Sequence, residues 1–235
     1  MSRFPRLSLN QAEEVCPMGE SEKILDDPYA LYFARPISRR ISRRLQGTGV
    51  TPNQVSILSL FAGISSIVLV KNNLLGALLI YLSFLLDCVD GELARLKKEF
   101  TLSGIWLESV FDRLPDVLPI LAMGYSTERW DLAALSVTGY FLIRTIASTN
   151  LLISIELGLK GEERRKGIFP HGKYRWLRYT KSLHLLILTV FVFLGEYLMY
   201  LKIFSAMSLI YFLFSSLLGL FLLRKFEDST RQSRL

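Results

Sequence analysis

Long apolar runs, broken only by short polar connections, set the first limit on what this chain can become. They occupy about residues 52–70, 74–96, 101–125, 130–158, 182–201 and 203–223. An α-helix needs roughly 20 apolar residues to cross the hydrocarbon of a bilayer, and these runs are of that order. In hydrocarbon every backbone N–H and C=O must be satisfied internally, so the runs are read as helices. The expected fold is an all-α integral membrane protein with six transmembrane helices. A composition of 51% hydrophobic residues in 235 agrees with spans rather than with a soluble core.

The flanks set orientation. Residues 1–27 are polar, carry Pro5 and Pro17, and are expected to form a loose leader. Over 28–47, Phe33, Ile37, Ile41 and Leu45 recur every fourth residue, with Arg35, Arg39, Arg40, Arg43 and Arg44 on the other faces and Gly47 placed to cap. That pattern predicts an amphipathic helix lying in the interface on anionic membrane lipid. Residues 48–225 are then expected to form the six-helix transmembrane domain, and 226–235 a polar tail. Basic residues crowd the leader, the turn holding Arg95, Lys97 and Lys98, the loop from Lys160 to Lys181, and the tail. The opposite connections hold only Lys71, Arg129 and Lys202. The positive-inside rule makes both termini and the turn near Lys97 cytoplasmic. A net charge of +7 distributed this way points to membrane topology, so no nucleic acid is expected as a partner. Cys16 and Cys88 offer neither a disulfide nor a zinc spacing.

Within the apolar runs stand carboxylates, which hydrocarbon tolerates only when they are paired or functional. Asp87, Asp90, Gly91 and Ala94 fall at i, i+3, i+4 and i+7, one face of a helix. Gly104, Glu108, Asp112 and Asp116 recur every fourth residue, again one face. An antiparallel hairpin turning near Glu99 sets Asp90 level with Glu108 and Asp87 level with Asp112. It also sets Ala94 against Gly104, where the helices must approach closely. At ~1.5 Å per residue the lower pair lies ~10–15 Å below the turn, within reach of a polar cavity open to the cytoplasm. Four converging carboxylates repel one another unless some are protonated or cations neutralise them. An all-oxygen set of Asp87, Asp90, Glu108 and Asp112 suits Mg²⁺ or Mn²⁺, and two such ions balance the charge.

The same residues, with Arg95, resemble the signature of the CDP-alcohol phosphotransferase family: Asp-x-x-Asp-Gly-x-x-Ala-Arg, eight residues, Gly-x-x-x-Asp-x-x-x-Asp. Glu108 stands where that signature has an aspartate. The start of the first span, Thr51-Pro52-Asn53-Gln54, is similar to the corresponding start in family members. The resemblance covers about residues 28–225. It implies transfer of a substituted phosphate from a CDP-linked donor to an alcohol, with release of CMP, by a homodimer. It implies Asp112 as general base and places Asp87, Asp90, Gly91, Ala94, Arg95, Gly104 and Asn53 around the CDP group. The run Glu108-Ser-Val-Phe-Asp112-Arg113-Leu-Pro-Asp116 is similar to the inositol-phosphate-using branch, with CDP-diacylglycerol or CDP-inositol as donor and a polyol phosphate such as inositol phosphate as acceptor.

For that acceptor the candidate residues are Arg144, Lys173, Arg175 and Asp116. Arg144 could instead pair structurally with Asp116 or Glu156. His171 and His184 are isolated and receive no catalytic role. Two other readings stay open from the residues: a cation or proton transporter using the intramembrane acids, and an inactive scaffold.

Overall fold

The computed structural model describes residues 28–68, 72–99, 106, 110–156 and 179–232. Among them are seven α-helices: α1 (Arg35–Gln46), α2 (Pro52–Val68), α3 (Asn73–Lys97), α4 (Arg113–Thr127), α5 (Trp130–Glu156), α6 (Lys181–Leu194) and α7 (Tyr197–Gln232). Three carry segments long and apolar enough to cross a membrane: Asn73–Lys97, Trp130–Asn150 and Tyr197–Arg224. Helix α6 is apolar but shorter.

The start and stop chemistry of these helices is local. Thr51 and Gln54 form a reciprocal capping box: Gln54 N–H donates to Thr51 Oγ1 at 3.4 Å, and Thr51 N–H donates to Gln54 Oε1 at 3.0 Å. Helix α3 opens on Asn72, whose side chain accepts from Leu75 N–H, and closes on Lys98 in the left-handed region. The charged turn after α3 is therefore real, and Lys97 Nζ braces it by donating to the carbonyls of Thr48 and Val50, each at 2.7 Å. Pro115 falls in the first turn of α4, where a missing N–H costs nothing, while Pro119 lies inside the helix.

One expectation needs correction. The last two apolar runs do not divide near Lys202. They divide at Gly195, which caps α6 at φ 74°, and Lys202 lies inside α7. Gly195 was the stop signal, and a lone lysine does not break a helix. A π-helical turn, Ala30–Ala34, precedes α1, and the docked face of this segment is made of small residues. Ala30, Ala34, Ser38 and Ser42 are buried, while Phe33 and Ile37 of the apolar stripe are exposed. Small residues let α1 approach α3 closely, and Ser42 Oγ donates to Val89 O at 3.2 Å.

Helix α3 is the centre of the bundle, with α1, α2 and α6 packed on it. Its contact with α2 is tied by an exchange of hydrogen bonds: Ser59 Oγ to Ser83 O at 2.8 Å, and Ser83 Oγ to Ser59 O at 2.9 Å. Helix α4 then fits against α2 through Gly63, where an added Cβ would stand 2.5 Å from that of Pro115. It fits against α5 through Gly124, where an added Cβ would meet that of Ala133 at the same distance. Ile80, Val89, Leu93, Ile120, Met123, Leu188 and Val192 fill the interior, with Tyr200, Leu201 and Phe204 closing it from α7. The outer face of α7 stays bare: Ile210, Leu213, Phe214, Leu217, Leu220 and Phe221 are all largely exposed. Apolar surface of that extent is what lipid covers.

Candidate active site

Three helix ends meet at one level of the bundle: the C-terminal half of α3, the start of α4 and the start of α6. Asp87 points from α3, Asp112 is the residue at which α4 begins, and Lys181 is the first residue of α6. Lys181 Nζ donates to Asp87 Oδ1 at 3.1 Å and to Asp112 Oδ2 at 3.0 Å. The three side chains are 20%, 28% and 19% exposed, so the cluster is sheltered yet reachable. The N-terminus of α6, which starts from the extended Thr180 cap, also adds partial positive charge here, which favours an anionic ligand.

Asp90 lies one turn further along α3 and is 5% exposed. Beside it the helix surface opens at Gly91. Among the described residues, a Cβ added there would meet nothing nearer than Arg95 Nη1 at 3.8 Å. Glycine in a helix costs roughly 1 kcal/mol relative to alanine, and no contact among the described residues offsets that cost. A bare backbone beside paired acids suits a ligand that lies against the helix. Ala94 and Arg95 continue the same half-buried strip. Asn53 is exposed near the start of α2. Gly104, Glu108, Lys173 and Arg175 lie outside the described residues.

The donor chemistry fits a divalent cation. Two carboxylates from different helices already close on a single positive centre, and their atoms are hard oxygens of the kind Mg²⁺ or Mn²⁺ prefers. Among the described residues no three acid, histidine or cysteine side chains close on one point.

Asp116 belongs to a different environment. It is fully enclosed, so in this state it offers no surface to an acceptor. Tyr140 of α5 donates its hydroxyl to Asp116 Oδ2. His184 Nε2 sits 3.1 Å from the backbone oxygen of Asp116. A carbonyl only accepts, so Nε2 carries the proton, and the neutral ring takes the Tyr179 hydroxyl at Nδ1. Tyr140 and Phe204 pack against the same imidazole, with ring centroids 5.0 Å away in both cases. The ion pair between Arg144 and Asp116 does not form. Tyr140 takes that carboxylate instead, and Arg144 Nε is buried without a hydrogen-bond partner.

Sequence reasoning missed Lys181 and Glu92. The charge pattern groups Lys181 with the basic residues of the cytoplasmic loop, although it follows the Thr180 cap and begins an apolar helix. Glu92, inside the motif, is buried and anchors α1: it accepts from Arg35 Nη1 at 2.8 Å and from Ser42 Oγ at 3.2 Å. A glutamate beside an arginine-rich amphipathic stretch was the available signal.

Comparison with known proteins adds an independent line. The sequence model described as CDP-alcohol phosphatidyltransferase matches residues 49–214. The bifunctional IPC transferase and DIPP synthase of Aquifex aeolicus is 36% identical over 106 residues, 43% of this chain and 24% of the relative. The archaetidylinositol phosphate synthase of Pyrococcus horikoshii is 32% identical over 108 residues, 44% of this chain and 57% of the relative. A bifunctional IPC transferase and DIPP synthase of Thermococcus kodakarensis is 34% identical over 100 residues, 41% of this chain and 23% of the relative. The chain thus spans about a quarter of the two bifunctional relatives and 57% of the synthase.

Proposed function

The chain belongs to the CDP-alcohol phosphatidyltransferase family, and from that premise we propose that it transfers a substituted phosphate from a CDP-linked donor to an alcohol hydroxyl, releasing CMP. The observation that carries the reading is the convergence of Asp87 and Asp112, from two helices, on one cationic atom beside the open face at Gly91.

In this reading Asp87, Asp90, Glu108 and Asp112 hold two divalent cations, Mg²⁺ or Mn²⁺. When bound, such ions supply charge neutralisation of a diphosphate and of the leaving phosphate. Asp112 accepts the proton of the acceptor hydroxyl. It lies at a helix end, 28% exposed, where a hydroxyl can reach it. Gly91 and Ala94 let the nucleotide rest on backbone, with Gly104 opposite them, and Arg95 and Asn53 border the nucleotide. Arg144, Lys173 and Arg175 serve a phosphorylated acceptor. The buried Asp116 acts at one remove, by fixing α4 against α5 and α6.

The relatives' names, IPC transferase and DIPP synthase and archaetidylinositol phosphate synthase, support inositol phosphate as acceptor, and we infer a CDP-diacylglycerol-like or CDP-inositol donor. The fold accompanying this function is a six-span homodimer with α1 in the interface and both termini in the cytoplasm. Purified protein is given CDP-diacylglycerol or CDP-inositol, each with inositol phosphate, glycerol phosphate or serine. CMP release that depends on inositol phosphate supports the branch. Release with serine or glycerol phosphate alone overturns the acceptor, and no release from any pair overturns the transfer.

A further inference from the structure

We propose that Lys181 is an internal counter-cation: it holds Asp87 and Asp112 together in the empty site, and a divalent ion must displace it to bind. This rests on the metal-dependent reading above and adds how that site is loaded. The ammonium is within hydrogen-bond distance of both carboxylates, at 3.1 and 3.0 Å. Magnesium sits about 2.0–2.1 Å from its oxygen ligands. The two cations therefore claim one position between the same oxygens and exclude each other. Without either, two carboxylates on neighbouring helices repel.

The backbone around Lys181 is built for exchange by the side chain alone. Thr180 caps the helix start, its Oγ1 accepting from Leu183 N–H at 3.3 Å. Tyr179 is held on both sides, its N–H donating to Tyr211 Oη at 3.2 Å and its hydroxyl bonded to His184 Nδ1. With both preceding residues fixed, the flexible four-carbon stem is the part free to swing. A lysine lacks the planar fork that would lock an arginine onto a carboxylate.

A consequence follows for the order of loading. A metal ion alone must evict an ammonium that then loses both carboxylates it bonds. A phosphate-bearing nucleotide offers that ammonium a new partner. Metal and nucleotide therefore tighten each other's binding, and by linkage the effect is reciprocal. The ammonium cancels one of the two charges on Asp87 and Asp112 and keeps stray cations out until the donor arrives.

The test is Mn²⁺ affinity, read from the EPR signal of free Mn²⁺, for full-length wild type, Lys181→Met and Lys181→Gln, each with and without CMP. Unfolding temperature in EDTA reports the fold. Without CMP the variants are expected to bind Mn²⁺ about 10-fold or more tightly than wild type, as loss of a competing cation requires. CMP should tighten Mn²⁺ binding more in wild type than in the variants. A variant that unfolds in EDTA but folds in Mn²⁺ also supports the proposal, because it exposes the repulsion that Lys181 quenches. Unchanged or weaker Mn²⁺ binding by either folded variant, with wild type binding normally, overturns the counter-cation and leaves the metal site standing. No Mn²⁺ binding by folded wild type, with or without CMP, overturns the metal reading and this proposal with it. If Lys181→Met folds under neither condition, Lys181→Gln decides by the same criteria, and failure of both to fold even with Mn²⁺ overturns the proposal.

Discussion

Asp112 and Asp116 are one helical turn apart on one helix face, and their surroundings have little in common. Asp112 is 28% exposed and its partner is an ammonium on a flexible stem. Asp116 is 0% exposed and its partner is the hydroxyl of Tyr140, with His184 fastened to its backbone oxygen. The first arrangement can exchange its cation for another. The second is fully buried, is hydrogen-bonded by an uncharged hydroxyl and serves as a joint between α4, α5 and α6. Residue type and helical phase are the same at the two positions. What separates a site from a joint is whether the partner can leave.

The sharpest way to break that contrast is on the opposite wall of the cluster. Asp87→Asn should lower CMP release by about 10³-fold or more, because it removes half of the charge that gathers cations there. Unfolding should move little, since Lys181 keeps Asp112. Retained activity would mean that the bridged acids are structural too. Next in size is the joint. Tyr140→Phe leaves Asp116 buried without its donor and should cost about 2–3 kcal/mol of stability by denaturant or thermal unfolding in detergent. Replacing both, Asp116→Leu with Tyr140→Phe, should recover part of that loss, and the enzyme should still depend on metal.

A third change tests the outer anchor. Glu92→Gln weakens the hold of Arg35 and Ser42 and should cost about 1–2 kcal/mol, within the range for charged hydrogen bonds. The expected signature is faster protease cleavage within Arg35–Gln46. The smallest effect belongs to the α2 cap: Thr51→Ala should cost about 1 kcal/mol and leave transfer unchanged.

These contrasts also mark how far the sequence could be read. Helical phase, read from the sequence, sets Asp87 and Asp112 at one depth, and in the structure both bond the same Lys181. The Thr51 cap was legible because its chemistry spans four adjacent residues. Lys181 was not legible. It lies 94 residues from Asp87, and in a loop rich in lysine and arginine nothing local separates a lysine facing inward from one facing headgroups. The Tyr140–Asp116 bond joins two helices through a tyrosine that reads as ordinary core. The division at Gly195 was passed over because a charged residue, Lys202, looked like the stronger break. The helix instead ends where the backbone must turn left-handed.

The comparison between the two aspartates is also the most direct test of the central claim. CMP release should be measured for wild type, Asp112→Asn and Asp116→Asn across a Mg²⁺ titration that begins in EDTA. Wild type should release CMP only with the metal, Asp112→Asn should release none at any concentration, and Asp116→Asn should keep a metal-dependent rate. Release by wild type in EDTA, or full release by Asp112→Asn, would contradict the account.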